Sequence, residues 1–139
     1  MKIVLDSNVI IAAFAARGLC HAVFELCIEG HDVILSDPLI DEVKAGLSKK
    51  IKLPKSVIGK IVEFLKSNSR IEIPAMVPNN ICRDPDDRHV LGLADTSQAD
   101  YIISGDGDLL ALGTFKKTTI LSPRKFWEIL RSQKEPKKS

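Results

Sequence analysis

Cysteine is scarce in this chain. Cys20, Cys27 and Cys82 are three, an odd number without a regular framework, which argues against a fold stapled by disulfides. With no secretory pattern at the N-terminus, the expected compartment is the reducing cytoplasm. Cys20, Cys27 and His31 do not follow a standard zinc-ligand spacing, and two thiols seven residues apart on an apolar helix face are usually small core residues. No run approaches the ~18 apolar residues of a membrane span, so no membrane role is expected. Internal repeats and low-complexity blocks are also missing. His21, His31 and His89 lack the neighbours of a nucleophilic triad. A formal net charge of only +2 singles out no class of partner.

The distribution of charge says more than its sum. Asp84 to Asp108 holds seven acidic residues and one basic, Arg88. Lys44 to Arg70 holds eight basic and one acidic, and Lys116 to the end eight basic and two acidic. An acidic centre between basic stretches suits a cation together with a polyanion, although basic helix faces also serve simply as solvated surface.

At 139 residues the chain fits one domain with a proper core, over residues 1–133, followed by a polar tail at 134–139 expected to fray. Apolar strands alternate with amphipathic helices along its length. "KIVLD" reads as a buried strand ending at Asp6, and "NVIIAAFAA" as the helix after it. "HAVFELCIEG" is a second helix, with Gly30 expected as its C-terminal cap. "DVILS" is a strand, and "SDPLIDEVKAGLSKK" a helix with a serine or aspartate cap and Pro38 in its first turn. "PKSVIGKIVEFLKSN" is a helix and "RIEIP" a short strand. "DDRHVLGLADTS", "DYIIS", "TTILS" and "PRKFWEILRS" continue as helix, strand, strand and helix. This alternation predicts a three-layer α/β/α fold around a central parallel sheet.

Such sheets bind ligands beyond the carboxyl ends of their strands, where strand order reverses. Asp6 and Asp106 both fall just past the carboxyl end of a predicted strand. "CRDPDDRHVLGLA" adds Asp84, Asp86 and Asp87 at the start of a helix. Each could cap or favour that helix end by about 1 kcal/mol, and Asp95 and Asp100 need no further explanation. Convergence would change the energetics. Two carboxylates near 4 Å repel by about 4 kcal/mol at an effective dielectric of 20. Three converging acids therefore call for a cation, and all-oxygen ligands favour Mg2+ or Mn2+ over zinc. Glu42 lies at the edge of a buried helix face, with Asp41 beside it as an alternative of the same charge.

Taken in order, "VLDSNVII", "SDPLIDEVKAGL", "RDPDDRHVLGLA" and "DYIISGDGDLL" resemble the PIN-domain family of metal-dependent ribonucleases. Among its members the chain is most similar to the single-domain ones related to VapC-type toxins. The resemblance covers roughly Met1 to Leu130. It implies an acidic site formed by Asp6, Glu42, Asp87 and Asp106, with Asp108 as an accessory metal ligand. It also implies supporting roles for Asn8 and Ser104, and it selects Glu42 over Asp41. Asp84 or Asp86 in place of Asp87 stays open. The implied activity is hydrolysis of RNA phosphodiester bonds with Mg2+ or Mn2+, in a homodimer, with a cognate antitoxin as a possible partner.

RNA approaching an acidic pocket needs positive charge nearby. Lys49 and Lys50, with Lys52 and Lys55 behind them and Arg88 beside the acids, are the candidates. Rival readings fit less well. A haloacid-dehalogenase-type phosphatase needs a second aspartate two residues after the first, where this chain has Asn8. A response-regulator receiver is suggested only faintly by "DVILSDP". A silent PIN-like module that binds RNA or protein, a housekeeping RNA-processing enzyme and a DNA-directed nuclease remain as alternatives.

Overall fold

The computed structural model describes residues 1–134. Six strands, β1 (Lys2–Leu5), β2 (Asp32–Leu35), β3 (Arg70–Ile71), β4 (Tyr101–Ile103), β5 (Thr114–Phe115) and β6 (Thr118–Leu121), form one sheet in the order β3-β2-β1-β4-β6-β5. All neighbours pair in parallel except β5 and β6, which form an antiparallel hairpin at one edge. Seven helices surround this sheet: α1 (Ser7–Ala15), α2 (Leu19–Gly30), α3 (Asp37–Lys49), α4 (Lys55–Asn68), α5 (Pro85–Ser97), α6 (Gly107–Leu112) and α7 (Pro123–Lys134). The architecture is the expected three-layer α/β/α fold.

Consecutive residues of the central strands explain the layering. Ile3, Val4 and Leu5 of β1, and Val33, Ile34 and Leu35 of β2, are all buried. Side chains alternate between the two faces of a strand, so both faces of the sheet must be covered by helices. Helix α5 packs on β1, β2 and β4, while α1 packs on both α2 and α3, and α2 also touches β2 and α7. Among the described residues no single helix is long and apolar enough to cross a membrane.

Sheet order creates the crevice. From β1 the chain moves outward through β2 to β3, then returns across the sheet to lay β4 on the other side of β1. Strand order therefore reverses between β1 and β4, and their connections leave in opposite directions. Pairing continues one residue past both strands: the Asp6 N–H donates to the Ile103 carbonyl at 3.0 Å, and the Ser104 N–H to Leu121 at 3.0 Å. Asp6 and Ser104 are thus fixed side by side at the mouth of the crevice.

Two glycines set how closely the surrounding elements approach. A Cβ on Gly46 would lie 2.1 Å from Ile11 Cδ1, so the missing side chain draws α3 onto α1. Glu42 lies one turn earlier on the same helical face. A Cβ on Gly92 would lie 2.0 Å from the Ala75 carbonyl oxygen. The long connection before α5 crosses the helix there, and the Ala75 N–H donates to the Gly92 carbonyl at 3.0 Å.

Several expectations about the elements are corrected. Helix α2 is closed by His31 in extended backbone, its N–H donating to the Cys27 carbonyl, and Gly30 is the last helical residue. "RIEIP" shortens to Arg70–Ile71 because its neighbour β2 ends at Leu35, where Ser36 caps α3. Helix α6 and strand β5 were not anticipated. Helix α7 takes in Lys134, the first residue of the expected tail, and residues 135–139 lie outside those described.

Candidate functional site

Asp6 is the N-cap of α1 and is only 5% exposed. One carboxylate oxygen accepts from the Ser7 N–H at 2.8 Å, and the other accepts from the Ser104 hydroxyl at 2.7 Å. Ser104 is fully buried, and its oxygen also accepts from the Asp106 N–H at 2.9 Å. A single hydroxyl thus ties the end of β1 to the turn after β4. Asp106 in turn caps the short α6, its Oδ1 accepting from the N–H groups of Asp108 at 2.7 Å and Leu109 at 3.3 Å. Capping explains why aspartate is suited to each position locally. It does not explain why these caps face one another.

The convergence is specific. One carboxylate oxygen from each of Asp87, Asp106 and Asp108 lies within 4.8 Å of the others. At that spacing each pair of full charges repels by about 3 kcal/mol at an effective dielectric of 20. Burial, then the charges of Asp106, Asp84 and Asp6, push the Asp87 carboxyl up to about 6. Asp6 is also raised, chiefly by burial and against the opposing effect of its hydrogen bonds to Ser104 and Ser7. Burial, with the charges of Asp86 and Asp6 and a hydrogen bond to Asp86, raises Glu42 to about 7.

This arrangement separates the three candidates at the start of α5. Asp84 is the exposed N-cap, accepting from the Asp86 N–H at 2.8 Å. Asp86 is exposed and meets Glu42. Asp87, 5% exposed, is the member that joins Asp106 and Asp108. Glu42 is half-buried whereas Asp41 is exposed, so the helix turns the glutamate toward the acids. Glu42 is not one of the three most closely grouped carboxylates, nor is Asp6. It approaches them through Asp86 and Asp6.

The donors present suit a hard divalent cation, since they are carboxylate oxygens, brought together from the starts of α5 and α6. The nearby soft donor is the Cys82 thiol, which lies 3.8 Å from Asp87 Oδ2. Burial raises the Cys82 pKa above its ordinary value.

Two depressions border the acids. A groove of about 250 Å3 is lined by Ser7, Asn8, Glu42, Gly46, Lys49 and Lys50, so both lysines lie on a path that reaches Glu42. Asn8 is exposed in this groove. A second pocket, of about 710 Å3, lies between residues 81–85 and α6 and includes Asp84 and Asp108. Arg83 lines it, a residue the charge reading overlooked because it stands one position outside the acidic stretch. Arg88 Nη1 donates to the carbonyls of Cys82 at 2.8 Å and Arg83 at 2.7 Å, which ties the helix start to the loop before it.

Comparison with known proteins agrees with this geometry. Residues 2–108 match the PIN domain family. The uncharacterized protein MJ1680 of Methanocaldococcus jannaschii is 31% identical over 118 residues, which span 81% of this chain and 75% of that protein. The fold is shared with Mycobacterium tuberculosis VapC20, a Sarcin-Ricin loop cleaving toxin, at a TM-score of 0.56 and 14% identity, over 82% of this chain and 97% of VapC20. It is also shared with PAE2754 of Pyrobaculum aerophilum, at a TM-score of 0.57 and 17% identity, over 96% and 97% of the two chains. The four quoted motifs, the reversal of strand order at β1 and β4 and the family match lead to one assignment: the chain belongs to the PIN-domain family of nucleases.

Proposed function

We propose that the protein is an endoribonuclease that uses Mg2+ or Mn2+ to hydrolyse RNA phosphodiester bonds, and that it is the toxin of a toxin–antitoxin pair. The observation that carries the chemistry is the approach of Asp87, Asp106 and Asp108 to within 4.8 Å at the switch point of the sheet. These three carboxylates would hold the cation, with Asp6 beside them. A bound divalent cation supplies an activated water and neutralises charge building up on the phosphate. The protein's own groups do the rest. Ser104 fixes the rotamer of Asp6 and the start of the Asp106 turn through one hydroxyl. Glu42, on the groove side of the acids, orients the attacking water. Lys49 and Lys50 draw the RNA backbone along the groove.

The toxin role follows from the shared fold with VapC20 and from the resemblance of the motifs. It brings an antitoxin as partner and a homodimer as the assembly. Incubating pure protein with RNA and either Mg2+ or Mn2+ tests the chemistry, with Asp106→Asn as the control. Cleavage that needs the cation and disappears in the variant is expected. Intact RNA under all conditions would instead favour a silent RNA- or protein-binding module.

A further inference from the structure

The sheet has two edges, β5 and β3, each a strand of two residues. Short, charged edges are how soluble proteins keep outward-facing N–H and C=O groups from recruiting other strands. Strand β5 follows that pattern, with Lys116 and Lys117 directly after it. Strand β3 follows it only in length. Ile71 is 39% exposed, and Ile73, two residues further along, is 85% exposed. Folding leaves two large apolar side chains in water beside an open edge.

The backbone register shows what this edge offers. Leu35 pairs with Ile71, and the Glu72 N–H donates to the Leu35 carbonyl at 2.9 Å. Main-chain groups of successive residues in a strand point to opposite sides. Those of Arg70 and Glu72 therefore face β2, and those of Ile71 face outward. Among the described residues the Ile71 N–H and carbonyl meet no partner. An antiparallel strand would satisfy both at once, because two residues directly opposite exchange both bonds.

The sequence of the edge selects its own copy. Antiparallel pairing of two identical strands has a twofold axis, and charge decides where that axis falls. With the axis at Ile71, Arg70 lies opposite Glu72 of the second copy, and Glu72 opposite Arg70. Shifting the axis by one residue sets either Arg70 or Glu72 against its own equivalent, and like charges directly opposite are unfavourable. The stretch Arg70-Ile71-Glu72 is self-complementary in one register.

We propose that two copies of this chain join at the β3 edge, their β3 strands pairing antiparallel about Ile71 so that one sheet runs through the dimer. Ile71 packs on its equivalent, and Ile73 reaches over the far end of the second copy's strand. The joint lies on the far side of β2 from β1, which leaves the acidic crevice open in both copies. The inference deepens the homodimer of the proposed function and rests on that reading for the existence of an assembly, not for the chemistry.

Disulfide trapping tests the register. Opposed residues in such a pair have Cα atoms ~5.5 Å apart, within the ~4.4–6.8 Å that a disulfide spans. Ile71→Cys should link to itself under oxidised glutathione, and peptide mapping separates that bond from links through Cys20 or Cys82. Ile73→Cys should not link to itself, since its two copies would lie roughly 13 Å apart along the strands. Sedimentation velocity tests the charges. The wild type is expected to be a dimer at micromolar concentration. Arg70→Glu should weaken dimerisation by about tenfold or more, and adding Glu72→Arg to it should restore the wild-type value. A dimer that neither links at position 71 nor responds to Arg70→Glu would overturn the proposal and keep a homodimer built elsewhere. A monomeric wild type would overturn both. A dimer that links at position 71 but cleaves no RNA under any cation would keep the interface and remove the ribonuclease reading.

Discussion

Near the amino ends of the strands, aspartates have ordinary partners. Asp100 accepts from the Lys2 N–H at 2.9 Å, and Asp95 pairs with Lys116 at 2.8 Å. At the carboxyl ends the same residue type meets its own kind. Asp87, Asp106 and Asp108 converge, Asp6 is buried beside them, and no cation of the chain forms a salt bridge with any of them among the described residues. Both sets cap or tether local structure, so local structure does not distinguish them. The difference is that one end is neutralised by the fold while the other retains a repulsion that only an added positive charge relieves. Free energy held in this way is what a binding site for a cation requires.

The comparison is broken most severely by removing charge at one end and not at the other. Asp106→Asn should lower RNA cleavage by roughly a hundred- to a thousandfold, in line with loss of a group that stabilises transition-state charge. Asp95→Asn should retain cleavage within a few-fold. Gel assays of both variants at saturating Mn2+ give the answer, and equal losses would erase the distinction between the two ends.

A smaller effect is expected on stability. Mn2+ at a hundred times its dissociation constant should raise the wild-type Tm by roughly 8 °C, from about 2.7 kcal/mol of linkage. Asp87→Asn should be more stable than wild type without metal, because a repelling charge has gone, and should respond less to Mn2+. Differential scanning calorimetry measures both. A fall in metal-free Tm with the full Mn2+ response kept would make Asp87 a purely structural acid.

Changes in pH sharpen the same point. Asp87 and Glu42 are raised to about 6 and about 7 in the folded chain. The folded state therefore holds these protons more tightly than the unfolded chain does. Their contribution to stability is fully present below the ordinary carboxylate pKa and is lost as pH rises through about 6 to about 7. The metal-free Tm should drop by a few degrees, roughly 2–5 °C, between pH 5 and 7.5. Saturating Mn2+ should flatten that drop. A metal-free Tm that rises over this interval would contradict the shifts.

The smallest effect concerns the basic groove. The double substitution Lys49→Glu, Lys50→Glu should weaken single-stranded RNA binding and reduce the log–log salt slope by about 0.7 for each lost phosphate contact. Mn2+ affinity should change little. An unaltered slope would mean that the lysines only solubilise the end of α3.

Much of this arrangement could be read from the chain because it follows local rules. Asp6 and Asp106 sit where alternating strands and helices place the ends of a parallel sheet, and the burial of β1, β2 and β4 was visible in their uninterrupted apolar runs. The choice among Asp84, Asp86 and Asp87 was not visible, since all three occupy one helix start and differ only in where the helix points them. The same holds for Glu42 against Asp41, which depends on how Gly46 lets α3 settle onto Ile11. Helix α6 has six residues, too few to show a helical period, and β5 has two. The charge of Arg88 is legible in sequence, but the two carbonyls that its Nη1 meets are not.

The most direct measurement of the central claim is calorimetric titration of Mn2+ into the wild type, Asp87→Asn, Asp106→Asn and Asp95→Asn at pH 7.5. Saturable binding to the wild type and to Asp95→Asn, weakened at least tenfold in the other two, is the predicted result. Equal binding in all four proteins, or none in the wild type, would contradict the claim that the carboxyl-end acids are assembled to hold a cation.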